Sequence, residues 1–153
     1  MLRTERSLCN SVIGRPRAAI VEVKTLRPHE DVDTHHLEVL RNQIRADGKL
    51  KFAIAVDKDT KIILDGHHRS TALAQIGCDR IPAIIVDYRA PHIRVQSWRH
   101  DWQVTKEMVI EAGLSGKKLP PRTSRHMILA NGKLQHMVTL EARVDFPLTL
   151  LKG

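Results

Sequence analysis

Residues 62–73 read Ile-Ile-Leu-Asp-Gly-His-His-Arg-Ser-Thr-Ala-Leu, and this stretch determines the predicted fold. Its three consecutive apolar residues predict a buried strand, which the Asp65-Gly66 pair ends. From the first histidine onward the apolar spacing becomes helical, and Gly77 is typical of a helix C-terminus. The sequence therefore predicts a strand that turns directly into a helix over residues 67–76.

The start of this helix has the composition of a phosphate-binding turn. A helix N-terminus offers unpaired backbone N–H groups and the positive end of the helix dipole. A glycine there lets a ligand approach the backbone, because it has no Cβ. The alternative is an ordinary strand–glycine–helix junction that binds nothing. The residues that we predict to bind phosphate are Gly66, His67, His68, Arg69, Ser70 and Thr71.

The two adjacent histidines do not by themselves predict a metal site. Consecutive residues at a helix start point in different directions, and no third ligand follows at helical spacing. We therefore assign no metal ligand among the protein side chains. Asp65 fits either a turn or capping residue or a functional carboxylate, and its residue type leaves both readings open.

Three separated motifs resemble the ParB/sulfiredoxin superfamily. The first is the stretch described above, with the helix that follows it and the strand-like residues 81–88. The other two, residues 27–30 (Arg-Pro-His-Glu) and residues 116–126, are similar to segments of the free L-serine kinases within that superfamily. The likeness covers about residues 18–128. It implies an α+β fold with a ParB/sulfiredoxin-like mixed sheet and helices, followed by a small α/β C-terminal extension.

The resemblance also implies an activity. Free L-serine kinases transfer a phosphoryl group from a nucleotide, with Mg²⁺, to the serine hydroxyl and produce O-phospho-L-serine. Glu30 matches the position of their catalytic acid, so we expect it to act as general base. Asp65 resembles their second active-site acid, and His67 and His68 would bracket the phosphates. ADP and ATP both remain open as the phosphoryl donor.

A basic loop over residues 122–126 is the predicted substrate-binding segment. Free serine carries a carboxylate and its product a phosphate, and both anions suit arginine and hydroxyl donors. An ordinary basic surface loop is the alternative. Trp98 resembles a family segment near the site, although its residue type alone favours a core position. The expected substrate-binding residues are Trp98, Thr123, Ser124, Arg125 and His126.

Composition fits one globular domain of 153 residues with 42% apolar content. No apolar run approaches the length of a membrane span and no signal-peptide segment is present, so we expect a cytoplasmic protein with no membrane partner. Cys9 and Cys78 have no metal or redox spacing and are expected to be free thiols.

The net charge of +8 lies at the two ends, over residues 1–27 and 115–153. Such ends suit an anionic ligand or nucleic acid.

We divide the chain into three parts. Residues 1–17 form a basic N-terminal arm, residues 18–89 a nucleotide-binding core, and residues 90–153 a C-terminal extension that completes the substrate site. In the core we predict the order β-α-β-β-α-β. The predicted core elements are a strand over 18–26, a helix over 35–47, a hairpin of 52–56 with 61–64, a helix over 67–76 and a strand over 82–88.

The extension is predicted to contain a strand over 92–97, a helix capped by Thr105, and a hairpin around Asn131-Gly132. The tail from Glu141 onward has no recognisable motif. His35 and His36 are expected to be surface residues in the first turn of the first helix.

Two other functions compete with the kinase reading. A sulfiredoxin needs a cysteine where this chain has His67, which disfavours that chemistry. A ParB-like nucleotide-binding module for DNA partition or transcription regulation, without kinase activity, is the main alternative. Too few residues follow Tyr88 for its helical DNA-binding domain, so we do not expect a DNA partner. A homodimer stays open, because a second subunit could supply elements that this short chain lacks.

Overall fold

The computed structural model describes residues 18–153, so the predicted arm over 1–17 and Cys9 lie outside the described residues. The described part contains nine strands and three α-helices, joined by short 3₁₀ turns. In chain order these elements are β1 (Ala18–Glu22), α1 (Thr34–Asp47), β2 (Lys49–Phe52), β3 (Ile54–Asp57), β4 (Ile63–Asp65), α2 (His67–Ile76), β5 (Arg80–Val86), β6 (Ile93–Ser97), α3 (Lys106–Ser115), β7 (Ser124–Ala130), β8 (Lys133–His136) and β9 (Arg143–Pro147).

The strands form three small sheets. The four-stranded sheet has the order β1-β5-β3-β4, in which β3 and β5 are parallel and the other neighbours are antiparallel. A two-stranded antiparallel sheet joins β2 to β9, and a three-stranded antiparallel sheet has the order β6-β7-β8. The predicted α+β class with a mixed sheet is confirmed.

Two hydrophobic cores lie on opposite faces of the four-stranded sheet. Successive residues of β3 alternate between them, because side chains of a strand point alternately to its two faces: Ile54 belongs to the first core and Ala55 to the second. Leu148 and Leu151, from the end of the chain, complete the first core. Tyr88 and Ile128 lie together in the second. Both cores therefore contain residues from each side of the predicted boundary at 89/90.

The helix ends follow the predicted capping chemistry. Asp33 accepts hydrogen bonds from the first backbone amides of α1, and Gly48 ends that helix in the left-handed conformation with φ 69°. Helix α2 spans the predicted residues 67–76. Thr105 caps α3 by accepting from the amide of Met108 at 3.2 Å. The Asn131-Gly132 turn has positive φ at both positions, as a two-residue hairpin requires.

Three strand assignments need correction. The strand predicted over 18–26 ends at Glu22, because the chain turns into a 3₁₀ helix at Val23–Thr25. The segment predicted as one strand over 52–56 is divided between β2, which ends at Phe52, and β3, which begins at Ile54. The tail after Glu141 contains strand β9, whose partner β2 lies about ninety residues earlier in the sequence. Both strands alternate polar and apolar residues, but they are only four and five residues long, and pairing at that separation leaves no local signal of the partner. None of the helices within residues 18–153 is both long and apolar enough to cross a bilayer.

Candidate active site

A cavity of about 360 Å³ opens where the start of α2 meets the segment after β1 and the start of β7. It brings together residues that are far apart in the sequence, from three of the predicted motifs. Ten of the thirteen predicted site residues line it: Glu30, Asp65, Gly66, His67, His68, Arg69, Trp98, Ser124, Arg125 and His126.

The turn between β4 and α2 forms one end of the cavity. No side chain in the described part of the protein caps α2, and the first hydrogen bond of the helix runs from the Ser70 amide to the Gly66 carbonyl at 2.9 Å. The first backbone amides of the helix, at residues 67–69, therefore have no intrahelical partner. Together with the helix dipole they can bind an anion such as phosphate.

Gly66 is required here for a different reason from the one that the sequence suggested. Its φ is +106°, a conformation that side chains rarely adopt. An added Cβ would also lie 2.4 Å from Cγ2 of Ile54, a buried core residue. The glycine thus allows the turn to pack against the core.

The two histidines of the turn hold the loop that carries Glu30. Nε2 of His67 accepts a hydrogen bond from the amide of His29 at 3.2 Å, and Nε2 of His68 accepts from the amide of Asp33 at 3.0 Å. Burial lowers the pKa of His68 and lowers that of His67 well below its usual value, so both rings are neutral at pH 7. They fix the loop on both sides of Glu30.

Glu30 lies at the cavity wall with its carboxylate surrounded by donors. Oε1 accepts from the amide and the hydroxyl of Ser124 at 3.0 and 2.9 Å, and Oε2 accepts from the amide of Arg122 at 2.9 Å. Burial raises the pKa of Glu30, although these hydrogen bonds oppose the rise. An oriented carboxylate with a raised pKa is suited to general-base catalysis.

Arg69 is committed to contacts within the protein. Its guanidinium donates to the carbonyl of Ala53 at 2.9 Å and to Glu141 at 2.8 Å, and it lies 3.4 Å from Asp65. Burial and the neighbouring Asp65 carboxylate raise the pKa of Glu141 to about 9, whereas Arg69 opposes the rise. Arg69 therefore joins α2 to the segment before β3 and to the C-terminal tail, and its charge is already shared between two carboxyl groups.

Arg125 is placed differently. Its guanidinium lies over the ring of Trp98 at 4.6 Å, in a cation–π contact, and its buried Nε has no hydrogen-bond partner among the described residues. Trp98 is half exposed, so it is not the core residue that its type alone favoured. His126 is buried beside these residues, and its Nε2 lies 2.9 Å from the hydroxyl of Tyr88. Arg125 is thus the cation of this cavity best placed to bind an anion.

Three predicted residues do not line the cavity. Ser70 is buried in α2, and the hydroxyl of Thr71 donates to the carbonyl of His67 one turn earlier. Thr123 is fully buried and its hydroxyl donates to the carbonyl of Pro120 at 2.7 Å. The hydroxyls of Thr71 and Thr123 therefore make local hydrogen bonds, and the assignment of these three residues to phosphate or substrate binding stays a prediction.

Other residues at the site had no sequence signal of their own. His36 was expected at the surface, but it also lines the cavity and stacks on His68 with ring centroids 4.3 Å apart. Arg122 and His136 complete the lining. Glu141, in the tail without a motif, is buried against Arg69. Glu141 reaches Arg69 because the C-terminal tail folds back and its strand β9 pairs with β2.

Comparison with known proteins identifies relatives that match about half of the chain. A ParB-like protein of Sulfolobus acidocaldarius is 41% identical over 78 residues. An ATP-dependent L-serine kinase of Staphylothermus marinus is 32% identical over 83 residues, and an ADP-dependent L-serine kinase of Thermococcus kodakarensis is 29% identical over 82 residues. These matches cover 51%, 52% and 51% of this chain and 39%, 33% and 34% of the relatives. The chain thus spans well under half of their length. No family model matches.

Solved structures resemble this one over most of its length. A free serine kinase in complex with AMP has a TM-score of 0.75 and 16% sequence identity, with 90% of this chain and 94% of that chain covered. SbnI from Staphylococcus aureus, truncated at its C-terminus, has a TM-score of 0.65 and 14% identity, with 100% and 92% covered. The fold is therefore that of the free serine kinase, and the similarity to ParB-like proteins and L-serine kinases predicted from three motifs is confirmed.

Proposed function

We propose that this protein is a free L-serine kinase, a phosphotransferase that moves the terminal phosphoryl group of ADP or ATP to the serine hydroxyl. The observation that carries the proposal is the pairing, across one cavity, of an uncapped helix start with an oriented glutamate. The similarity to ATP- and ADP-dependent L-serine kinases supports the choice of substrates. Both substrates belong to the cytoplasm, where we place the protein.

In the proposed reaction, the amides at the start of α2 bind the phosphates of the nucleotide. The carboxylate of Glu30 takes the proton from the serine hydroxyl as its oxygen forms a bond to phosphorus. The bond between phosphorus and the leaving nucleotide oxygen breaks, and phosphoserine results. Arg125, with Trp98 beneath it, binds the carboxylate of the amino acid.

Asp65 is the residue that would hold magnesium. Its carboxylate lines the cavity next to the helix start, and carboxylate oxygens are preferred ligands of this ion. Bound Mg²⁺ would neutralise charge on the transferring phosphoryl group. A second acidic group, formed by Asp57, Asp59 and Asp87, does not line the cavity. Both oxygens of Asp57 already accept hydrogen bonds from Thr60 and the Tyr88 amide.

The deciding experiment incubates the protein with Mg²⁺, free L-serine and either ADP or ATP, and measures phosphoserine by ³¹P NMR. We expect phosphoserine with at least one of the two nucleotides, and none when D-serine replaces L-serine. Nucleotide binding without phosphoserine formation from either donor would contradict the proposal.

The 41% identity to a ParB-like protein favours one alternative, a nucleotide-binding module for DNA partition or transcription regulation without kinase activity. Such a module would bind DNA at physiological salt, and its affinity would depend on nucleotide. A gel-shift assay with and without ATP tests this alternative. Because the chain carries a net charge of +8, weak binding that disappears between 50 and 200 mM salt would indicate nonspecific contact only.

A further inference from the structure

Behind Glu30 lies a histidine that the proposed reaction does not use. His29 is fully buried, with Nδ1 2.8 Å from the carbonyl oxygen of Ile63 and Nε2 2.9 Å from Oγ of Ser124. The same Oγ lies 2.9 Å from Oε1 of Glu30. His29, Ser124 and Glu30 thus form a hydrogen-bonded chain that runs from the interior to the cavity.

The hydrogen-bond partners of His29 fix its tautomer. A carbonyl oxygen can only accept, so Nδ1 of His29 carries the proton and donates to Ile63. Burial lowers the pKa of His29 to about 4, and the ring is neutral at pH 7. Its Nε2 is then unprotonated and can only accept a hydrogen bond. The hydroxyl of Ser124 is the group placed to donate it.

Ser124 cannot satisfy both neighbours when Glu30 is ionised. Its hydroxyl has one proton, whereas Nε2 of His29 and Oε1 of Glu30 are then both acceptors. One of the two contacts must bring two lone pairs together at 2.9 Å. When Glu30 carries a proton on Oε1, that proton is donated to Oγ of Ser124. The serine hydroxyl then donates to His29, and every contact is satisfied.

We propose that His29, acting through the Ser124 hydroxyl, is a positioning residue that favours the protonated form of Glu30. The inference rests on the proposed function for its role in catalysis. During transfer the substrate hydroxyl gives its proton to Glu30, and the Ser124 hydroxyl turns from Glu30 to His29. No proton enters or leaves the chain other than the one taken from the substrate. The arrangement makes Glu30 a stronger base at the step in which it accepts that proton.

Other ionisable groups near the hydrogen-bonded chain of His29, Ser124 and Glu30 do not favour the protonated form of Glu30. His67 from α2 and His126 from β7 face the His29 ring, with centroids 4.6 and 5.7 Å away. Burial lowers the pKa of both, that of His126 to about 3, so they are neutral at pH 7. The hydroxyl of Tyr88 is hydrogen-bonded to His126. The positive charge of Lys118 lowers the pKa of His67 further. Arg122 reaches Glu30 through its backbone amide.

The test is the pKa of Glu30, measured in the unliganded protein by ¹³C NMR of labelled glutamate carboxyls, with Glu30→Gln to assign the signal. His29→Asn keeps a donor for the Ile63 carbonyl but removes the acceptor beside Ser124. It should lower the pKa of Glu30 by about one unit. Ser124→Ala should lower it as well, because the protonated carboxyl loses its acceptor, whereas Ser124→Thr should leave it within a few tenths of a unit.

A hydroxyl that merely donated to an ionised Glu30 would give the opposite sign, because its removal in Ser124→Ala would raise the pKa of Glu30. That rise, or an unchanged pKa in His29→Asn, would overturn the proposal. If His29→Asn does not fold, the sign in Ser124→Ala decides alone. The titration needs no substrate. A wild-type protein that makes no phosphoserine would contradict the kinase proposal while leaving this measurement readable.

Discussion

The cavity has two walls, and a glutamate and an arginine lie in or directly behind each of them. On one wall Glu30 accepts three hydrogen bonds from uncharged donors, and the buried Nε of Arg125 has no partner within residues 18–153. On the other, Glu141 and Arg69 are 2.8 Å apart, with Asp65 beside them. The same two residue types thus occur once with their charges available to a ligand and once with their charges neutralised inside the protein.

The difference shows that pairing, more than residue type or sequence position, decides which charges can take part in chemistry. Arg69 stands in the turn that was predicted to bind phosphate, which made it the natural choice for that role. The structure instead uses Arg69 to bridge carbonyls and carboxylates of three separate segments. Each of the following changes tests one side of this contrast, in order of decreasing effect.

Arg69→Ala should lower the free energy of unfolding by about 3 kcal/mol, because it leaves buried carbonyl and carboxyl acceptors without their donor. Urea unfolding measures the loss. Arg89→Ala is the control, since Arg89 is exposed and lies 3.9 Å from Asp59 in a surface ion pair of little expected value. Unchanged stability combined with a loss of nucleotide affinity would instead assign Arg69 to the nucleotide.

Glu30→Gln should lower the rate of phosphoserine formation by roughly 100-fold or more while nucleotide still binds, because the amide cannot accept the substrate proton. Steady-state kinetics and a nucleotide titration measure the two effects separately. Glu38→Gln, at an exposed position of α1, is the matched control and should keep the wild-type rate. An unchanged rate in Glu30→Gln would remove this residue from the mechanism.

Arg125→Ala should raise the KM for serine about 10-fold and leave the KM for nucleotide within 2-fold, because a charged hydrogen bond to the substrate carboxylate is lost. Arg99→Ala is a suitable comparison. Arg99 also lies over a tryptophan ring, that of Trp102, but it is exposed and does not line the cavity. A larger change for nucleotide than for serine would assign Arg125 to the phosphates.

Glu141→Gln should raise the free energy of unfolding at pH 8. The pKa of Glu141 is raised in the folded state, from about 4.5 to about 9, so the folded protein binds more protons than the unfolded chain between these values. Its stability therefore falls as the pH rises through that window, and glutamine removes this dependence. Below about pH 4.5 the two proteins should be equally stable.

Thermal unfolding from pH 4 to pH 9 gives the comparison. A variant that is less stable than the wild type at pH 8 would mean that Glu141 is ionised and that its pair with Arg69 is stabilising.

Local patterns predicted the parts of the fold that local chemistry controls. Helix α2, the Thr105 cap and the Asn131-Gly132 hairpin depend on neighbours within a few residues, and all were recovered. The pairing of β2 with β9 was missed, because both strands are short and the two partners are far apart in the sequence. Residue types, together with the resemblance to the serine kinases, also identified ten of the residues that line the cavity.

The roles of those residues were harder to predict than their positions. His67 and His68 have the donors that a phosphate site needs, yet in the fold they accept hydrogen bonds from the loop of Glu30. His29 follows a proline in a loop, where a polar residue is normally solvated, but tertiary packing buries it completely. Such roles depend on contacts between segments, which no single stretch of sequence records.

The position of Leu148 and Leu151 in the first core has a consequence for biosynthesis. Helices α1 and α2 and most of the four-stranded sheet leave the ribosome well before these two leucines. Until residue 151 emerges, the nascent chain carries an unsealed apolar surface, which chaperones that hold incomplete chains would recognise. Release of the nascent chain from such a chaperone should therefore wait until residues 148–151 have emerged.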